Sequence, residues 1–352
     1  MSGGVDSSVA AFLLRERDYD CIGVTMKLFS NDDVGLDRED TCCSARDAED
    51  ARTVCAKLGI PHFVFNLSDE FDEHVIRRFV DEYMSGRTPN PCIDCNRFVK
   101  FEHLFARARS AGHEYIATGH YARVSRDATG RYSLRKAADE TKDQSYVLYS
   151  LTQEQMAHTL FPLGGLTKKE VRSMALSRGF RNAAKEESQD ICFIQGGDYV
   201  SFIERRLGRG FEPGDFLDTS GRVIGRHRGA IRYTIGQRRG LGVGFSRRMF
   251  VCRKNHTENT VTLGDENELY SKVIYADEIN LIAVDTIDAP TRVTARTRYR
   301  QTEHQAMIEQ VGDDIIRVEF DEPERSAAPG QAIVLYDGDA VFGGGTITRT
   351  EI

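Results

Sequence analysis

The sequence has no apolar run approaching the roughly 18 residues that a membrane-spanning helix needs, so no membrane span is expected. Its N-terminus lacks a basic region followed by an apolar stretch and a small-residue cleavage site, so nothing there marks the chain for export. Prolines are few, eight in 352 residues. Eight cysteines make a poor disulfide scaffold for a chain this long; in a reducing compartment such thiols serve catalysis or metal binding. A cytoplasmic protein is the expectation. A net charge of −7 argues against a generic nucleic-acid binder.

The composition is that of an ordinary globular protein, 40% hydrophobic and 29% charged. At about 150 residues per domain the length suggests two or three domains. Charge is unevenly placed. Between Arg222 and Lys254 stand ten basic residues (Arg222, Arg226, Arg228, Arg232, Arg238, Arg239, Arg247, Arg248, Arg253 and Lys254) and no Asp or Glu. Such clustering fits a local phosphate-binding surface, because counterion release rewards concentrated charge. The plainer reading is a solvated face.

The first part alternates helix and strand patterns. Residues 9–14 read as a helix packed on a sheet, and 21–26 (CIGVTM) as a buried strand. Residues 44–58 place Ala45, Ala48, Ala51, Val54, Cys55 and Leu58 at helical spacing, with Gly59 as a stop. A strand over 62–65, a helix over 69–84 and a strand over 115–118 come next. Strands separated by helices imply a parallel sheet covered on both faces. After about Gly197 the pattern changes, and 206–270 reads as a small glycine- and arginine-rich module. From about Ile274 residues alternate in twos between turn signals such as Tyr336-Asp-Gly-Asp and Gly343-Gly-Gly, which predicts an antiparallel β-barrel. The expected domains are 1–200, 201–272 and 273–352.

The chain opens Met1-Ser2-Gly3-Gly4-Val5-Asp6-Ser7-Ser8 and runs directly into the apolar helix. Two glycines permit close backbone approach to a pyrophosphate, while serine hydroxyls and a helix N-terminus supply donors. The Walker pattern would need Gly-Lys-Ser/Thr. SGGVDSS instead matches the PP-loop of ATP pyrophosphatases, which cleave ATP between its α and β phosphates and adenylate a substrate. That loop ordinarily follows a central strand. The expectation is therefore a native start upstream of Met1, seen as extra N-terminal residues in intact-mass analysis.

Three cysteines stand out. Cys92 and Cys95 form a C-x-x-C unit in Asn90-Pro-Cys-Ile-Asp-Cys-Asn96, expected in a turn just ahead of a helix from about Phe98 to Ala111. A helix dipole there would favour a thiolate. Cys192 lies in Ser188-Gln-Asp-Ile-Cys-Phe-Ile194. A chance C-x-x-C and a structural Cys192 are the plain alternatives, and no second C-x-x-C completes a zinc site. Cys21, Cys55 and Cys252 read as core; Cys42 and Cys43 are unassigned.

SGGVDSS, Asn90-Pro-x-x-x-Cys95-Asn, Ala117-Thr-Gly-His-Tyr121, Lys142-Asp-Gln-Ser-Tyr146, Cys192-Phe-Ile, Gly236-Gln-Arg-Arg-Gly-Leu-Gly and Arg298-Tyr-Arg-Gln301 occur in an order that resembles the tRNA-specific 2-thiouridylases. The resemblance implies an α/β PP-loop domain of the adenine nucleotide alpha hydrolase type, a small central domain and a C-terminal antiparallel β-barrel. It implies ATP-dependent 2-thiolation of the wobble uridine of tRNA, with Mg2+ accompanying ATP. Ser2, Gly3, Gly4, Asp6 and Ser7 would hold the phosphates, and Met26 and Gly119 the adenosine. Cys192 would carry a persulfide and Cys95 would be the nucleophile that releases its sulfur, leaving a Cys95–Cys192 disulfide. Asn90, Pro91 and Cys92 would meet the target base. His120, Lys142, Asp143, Gln144, Arg298, Tyr299 and Gln331 would contact tRNA. A sulfur-relay protein or cysteine desulfurase would supply the sulfur.

Cys92 stands where an aspartate is often found in this family, and that opens a second scheme. Cys92, Cys95 and Cys192 would bind three irons of a 4Fe–4S cluster and leave the fourth open to sulfide. Rival functions are an amidating or ligating PP-loop enzyme, a non-catalytic tRNA-binding protein with a structural metal, and a sulfur carrier that ignores ATP.

Overall fold

A computed structural model of the protein describes residues 1–30, 45–185, 191–245 and 247–351. The chain divides into two compact units. The first comprises 1–76, 91–199 and 339–341, and the second 77–90, 200–338 and 342–352.

In the first unit, helix α1 (Val5–Arg15) buries Val5, Val9 and Phe12, which share a face at helical spacing. Strands β1 (Gly23–Lys27) and β2 (His62–Asn66) pair in parallel, Gly23 opposite His62 and Lys27 opposite Asn66. Helix α2 (Ala45–Leu58) lies between them in sequence, as a parallel pair requires. Cys42 and Cys43 fall outside the described residues. Strand β3 (Ile116–Ala117) and the hairpin β4 (Arg123–Arg126) and β5 (Tyr132–Arg135) precede β6 (Thr159–Leu160), which pairs in parallel with β3.

Helix Lys168–Ser177 packs Val171 and Ala175 into one core with Val9 and Phe12 of α1. Its start is written in the sequence as a capping box. Thr167 Oγ1 accepts the Glu170 N–H at 3.3 Å, and Glu170 Oε2 accepts the Thr167 N–H at 2.7 Å. Gly179, at φ +60°, takes the left-handed turn just past its end.

The thiol segment corrects the expected turn. Helix begins at Pro91 instead of Phe98: Pro91–Asp94 is α-helical, Cys95–His103 is wound as a wide π-helix, and Leu104–Ser110 returns to α. Proline suits a first helical position because its missing N–H would have no partner there. Asn90-Pro91, read as a turn, is a helix start.

In the second unit, β7 (Gly214–Leu217), β8 (Val223–His227), β9 (Phe250–Asn255) and β10 (Thr260–Gly264) form a sheet in the order β8-β7-β10-β9. Its central pair is parallel and the flanking pairs antiparallel. Phe216, Val251, Val261 and Leu263 are fully buried beneath it.

Strands β11 (Tyr270–Leu281), β12 (Thr291–Arg296), β13 (His304–Gly312), β14 (Ile315–Arg325), β15 (Ala332–Asp337) and β16 (Ala340–Glu351) run in the order β11-β14-β13-β12-β15-β16, and β16 closes on β11. Closure leaves no open edge. Alternation on β14 turns Ile316, Val318 and Phe320 inward, while outside Arg317 and Glu319 pair at 2.7 Å. Gly343 and Gly345 are not a turn, as the sequence suggested, but lie within β16. A Cβ at Gly343 would stand 2.5 Å from the Asn280 carbonyl oxygen, and one at Gly345 would stand 2.7 Å from that of Asp277. The glycines let β16 press against β11 where its register shifts.

Phe320→Ala empties a fully buried position in this barrel. It is expected to cost about 3–5 kcal/mol, read by circular dichroism in urea. A loss below about 1 kcal/mol would mean that the barrel collapses over the gap.

Candidate active site

The opening loop is a tight knot of backbone. Gly3 has φ +69°, and a Cβ there would stand 2.5 Å from the Asp47 carbonyl oxygen, so only glycine fits. Gly4 precedes α1 in extended conformation, and no side chain caps the helix. The loop is closed by the Ser2 N–H, which donates to Ser7 Oγ at 3.1 Å, and by Ser7 Oγ and Ser8 Oγ, which donate to the Gly4 carbonyl at 3.1 and 2.9 Å. Such an uncapped helix start with hydroxyls around it suits a phosphate.

Asp6 is the hub. Its two carboxylate oxygens each accept from Lys168 Nζ at 2.8 Å, and Oδ1 also accepts from the Tyr121 hydroxyl at 2.8 Å. Gln144 Oε1 accepts the Tyr121 N–H at 2.9 Å, and the Gln144 N–H donates to the Tyr121 carbonyl at 2.9 Å. A Cβ at Gly119 would lie 2.7 Å from the Ser7 nitrogen and 2.8 Å from the Asp6 carbonyl carbon. Gly119 thus lets the 118–121 segment lie directly on the loop. Met26 stands half-buried on β1 opposite Phe65.

Sequence reasoning missed three partners of this loop. Lys168 holds Asp6. Asn182, almost fully buried, donates from Nδ2 to the Gly3 carbonyl and to Ser8 Oγ, both at 2.9 Å. Lys185 pairs with Asp47 and, at 3.1 Å, with Asp50. All three lie more than 150 residues from the loop in sequence, and no spacing rule links them to it. The Thr167–Glu170 capping box was the one local signal, since it places Lys168 at a helix start.

The thiols differ in setting. Cys92 is exposed, Cys95 is buried and Cys192 half-buried. Burial pushes the Cys95 thiol up, with Lys100 opposing and Cys92 and Asp94 adding to the rise. The expected dipole effect does not reach it: Cys95 lies past the first turn, beyond which the dipole fades. Lys100 Nζ donates to Asn96 Oδ1 at 2.9 Å, and Asn96 Nδ2 donates to the Val147 carbonyl at 2.9 Å. Burial also drives the His120 imidazole well below its ordinary range, with Lys100 adding to the fall. His120 Nδ1 shares a hydrogen bond with Thr118 Oγ1 at 2.8 Å. Phe193, next to Cys192, packs edge-on to Phe71 with centroids 5.7 Å apart.

Among the described residues no three or more His, Cys, Asp or Glu side chains gather to hold a metal. No step is derived through a cluster. Of the cysteines read as core, Cys55 is buried, while Cys21 and Cys252 are half-buried, and burial pushes Cys252 up to about 11.

Asn90 is half-buried and Pro91 buried. The Asp143 carboxylate is turned into its own loop, accepting the Ala137 and Ser145 N–H groups at 3.1 and 3.2 Å and Ser145 Oγ at 2.8 Å. Lys142, beside it, is half-buried. In the second unit, Gln331 Nε2 donates to the Thr88 carbonyl at 2.6 Å, while the Thr88 N–H donates to the Pro329 carbonyl at 2.8 Å. Arg298 Nη2 donates to the carbonyls of Ser326 and Ile235 at 2.6 and 3.3 Å, whereas Tyr299 is 36% exposed. In the basic stretch, Arg238, Arg247 and Arg248 rim a cavity of about 700 Å3 with Leu241, Val243 and Phe245.

Fold and loop together define a three-part HUP-domain protein. Residues 1–196 match the tRNA methyl transferase HUP domain, 200–265 the tRNA methyl transferase PRC-barrel domain, and 271–347 the aminomethyltransferase β-barrel domain. The chain belongs to the tRNA-specific 2-thiouridylase family. It is 48% identical over 351 residues to tRNA-specific 2-thiouridylase MnmA of Clostridioides difficile strain 630, spanning 99% of this chain and 97% of that protein. It is 50% identical over 349 residues to the protein of the same name from Acetivibrio thermocellus, spanning 99% and 97%.

Gly119→Ala drives a methyl group against the Ser7 nitrogen. A loss of about 1–3 kcal/mol in stability is expected from overpacking, measured by thermal and urea unfolding. An unchanged midpoint would mean that the 118–121 segment is free to move off the loop.

Proposed function

We propose that the chain is an ATP-dependent tRNA-uridine 2-sulfurtransferase. The observation that carries this reading is a pair of cysteines, Cys95 and Cys192, in the same compact unit as a glycine-rich loop at a helix start. The near-full-length likeness to proteins named for that activity supports it. In this reading 1–200, 201–272 and 273–352 act as catalytic, tRNA-binding and barrel domains. The need for ATP, tRNA and reduced thiols makes the cytoplasm its compartment.

Ser2, Gly3, Gly4, Asp6 and Ser7 hold the ATP phosphates, and Met26 and Gly119 border the adenosine; Mg2+ arrives as the counter-ion of ATP. The C-2 carbonyl oxygen of the wobble uridine attacks the α-phosphorus and pyrophosphate leaves. Cys192 carries a sulfane sulfur received from a sulfur-relay protein or cysteine desulfurase. The Cys95 thiolate attacks the Cys192 sulfur, forming the Cys95–Cys192 disulfide, and hydrosulfide leaves with the electron pair of the broken S–S bond. Hydrosulfide adds at C-2, AMP leaves with the C–O electron pair, and C=S remains. A dithiol reductant then resets the disulfide. Asn90, Pro91 and Cys92 meet the base, and His120, Lys142, Asp143, Gln144, Arg298, Tyr299 and Gln331 serve the tRNA.

Cys95→Ser and Cys192→Ser are each expected to lower 2-thiouridine formation by roughly three orders of magnitude or more. ATP-dependent adenylation of tRNA should persist in both. Mass spectrometry of nucleosides from digested tRNA reads the first, and AMP and pyrophosphate release the second. Full 2-thiouridine formation in either variant would rule out the Cys95–Cys192 relay.

Because burial holds the Cys95 thiol above its ordinary range, the thiolation rate should climb with pH through and beyond that range as the thiolate forms. Lys100→Met removes the opposing charge and should displace the climb to higher pH. A pH-independent rate in the wild type would place the slow step elsewhere.

A further inference from the structure

Within the first unit, the 139–144 segment is tied to the opening loop at both of its ends. At the C-terminal end, Gln144 and Tyr121 exchange two bonds at 2.9 Å, and the Tyr121 hydroxyl donates to Asp6 at 2.8 Å. At the N-terminal end, Asp139 Oδ2 accepts the Lys168 N–H at 2.9 Å. Lys168 opens its helix, and its ammonium donates to both Asp6 oxygens at 2.8 Å. The bonds therefore close into a ring through Asp6. Asp139 also shapes the segment itself. Its Oδ1 accepts the Thr141 N–H and hydroxyl at 3.1 and 2.6 Å, which caps the single turn Glu140–Lys142. One carboxylate thus meets the start of that turn with one oxygen and an orphan N–H of the next helix with the other.

The joints of the ring differ in strength. Tyr121 and Lys168 are buried, and Asp143 is pinned within the segment by the Ala137 and Ser145 N–H groups. Asp139 is half-buried between exposed Ala138 and Glu140. Its bond to the Lys168 N–H is the joint nearest water, and the ring opens there first. That bond is also the largest cause holding the Asp139 carboxyl below its ordinary range. A closed ring keeps the opening loop and residues 142–144 in one fixed relation, ready for a ligand at either place. With the ring open, each ligand would have to supply the closing free energy from its own binding.

We propose that Asp139 is a positioning residue that preorganises the ATP loop and the 142–144 segment together, through its bond to the start of the Lys168 helix. It acts on ATP through Lys168 and Asp6, and on tRNA through the turn it caps. The inference rests on the reading that ATP occupies the opening loop and that tRNA meets 142–144.

The test is equilibrium binding to the full-length chain of two probes, unmodified tRNA and an ATP analogue with a methylene bridge between its α and β phosphorus atoms. Each is measured alone and with the other saturating, in the wild type, Asp139→Ala, Asp139→Asn and Glu140→Ala. Asp139→Ala should weaken each probe alone by the same factor, up to roughly tenfold. Saturating tRNA should then return the analogue's affinity toward the wild-type value, and the analogue should do the same for tRNA by an equal factor. In the wild type this mutual effect should be smaller, because the ring is closed beforehand. A role in local stability alone would weaken binding without mutual rescue. Asp139→Asn keeps one acceptor oxygen and should lose less; Glu140→Ala, exposed and outside the ring, should lose nothing. A loss confined to one probe, or one that the other probe does not rescue, overturns the inference alone. Should Asp139→Ala unfold, Asp139→Asn decides by the same comparison. Wild-type protein that binds neither probe overturns the functional reading and this inference together.

Discussion

The Asp6 carboxylate is the interaction on which the first unit depends. It is the one acid of the opening loop, and three separate stretches of chain meet at it. Lys168 reaches it from a helix start, Tyr121 from the segment after β3, and Gln144 through the Tyr121 backbone. Lys168 is mostly withdrawn from water while Asp6 is about a third exposed. Losing one partner would leave a poorly solvated charge in the opening loop. The same bonds fix the spacing between the loop and the segment carrying Lys142 to Gln144.

Close backbone contact is the second constraint, and glycine meets it at Gly3, Gly119, Gly343 and Gly345, where a Cβ would strike backbone atoms. At Gly119, Gly343 and Gly345 the glycine serves proximity and not turning, while Gly3 serves both. That explains why Gly343 to Gly345, read from sequence as a turn, lie within a strand: the barrel closes only if β16 and β11 can touch. The same confusion of signals displaced the helix around the thiols. Asn-Pro marks turns and helix starts alike, and the residues on its C-terminal side decide between them. Here Ile93, Val99, Phe101 and Phe105 are buried, and they draw the segment into a helix from its first residue.

The thiols show how burial changes chemistry that a motif alone suggests. A C-x-x-C near a helix start suggested a dipole-activated pair, and three cysteines suggested a cluster. In the fold Cys92 faces solvent, Cys95 is enclosed and Cys192 sits on a different segment. Burial raises the Cys95 thiol, and Lys100 is the cation that opposes it. A lysine five positions on would lie roughly 140° around an α-helix of 3.6 residues per turn. The wide winding over Cys95–His103 brings it back toward the thiol's face.

Local order was legible in the sequence because its causes are local. The loop glycines, the alternation of β12 to β15 and the succession of short motifs each depend on residues a few positions apart. They were enough to set the α/β first part, the barrel and the family likeness. Tertiary structure alone decided which distant side chains complete the site: Lys168, Asn182 and Lys185 at the loop, and Lys100 beside Cys95. Those choices arise from burial and from satisfying buried charge, which are set by the packing of segments far apart in the chain.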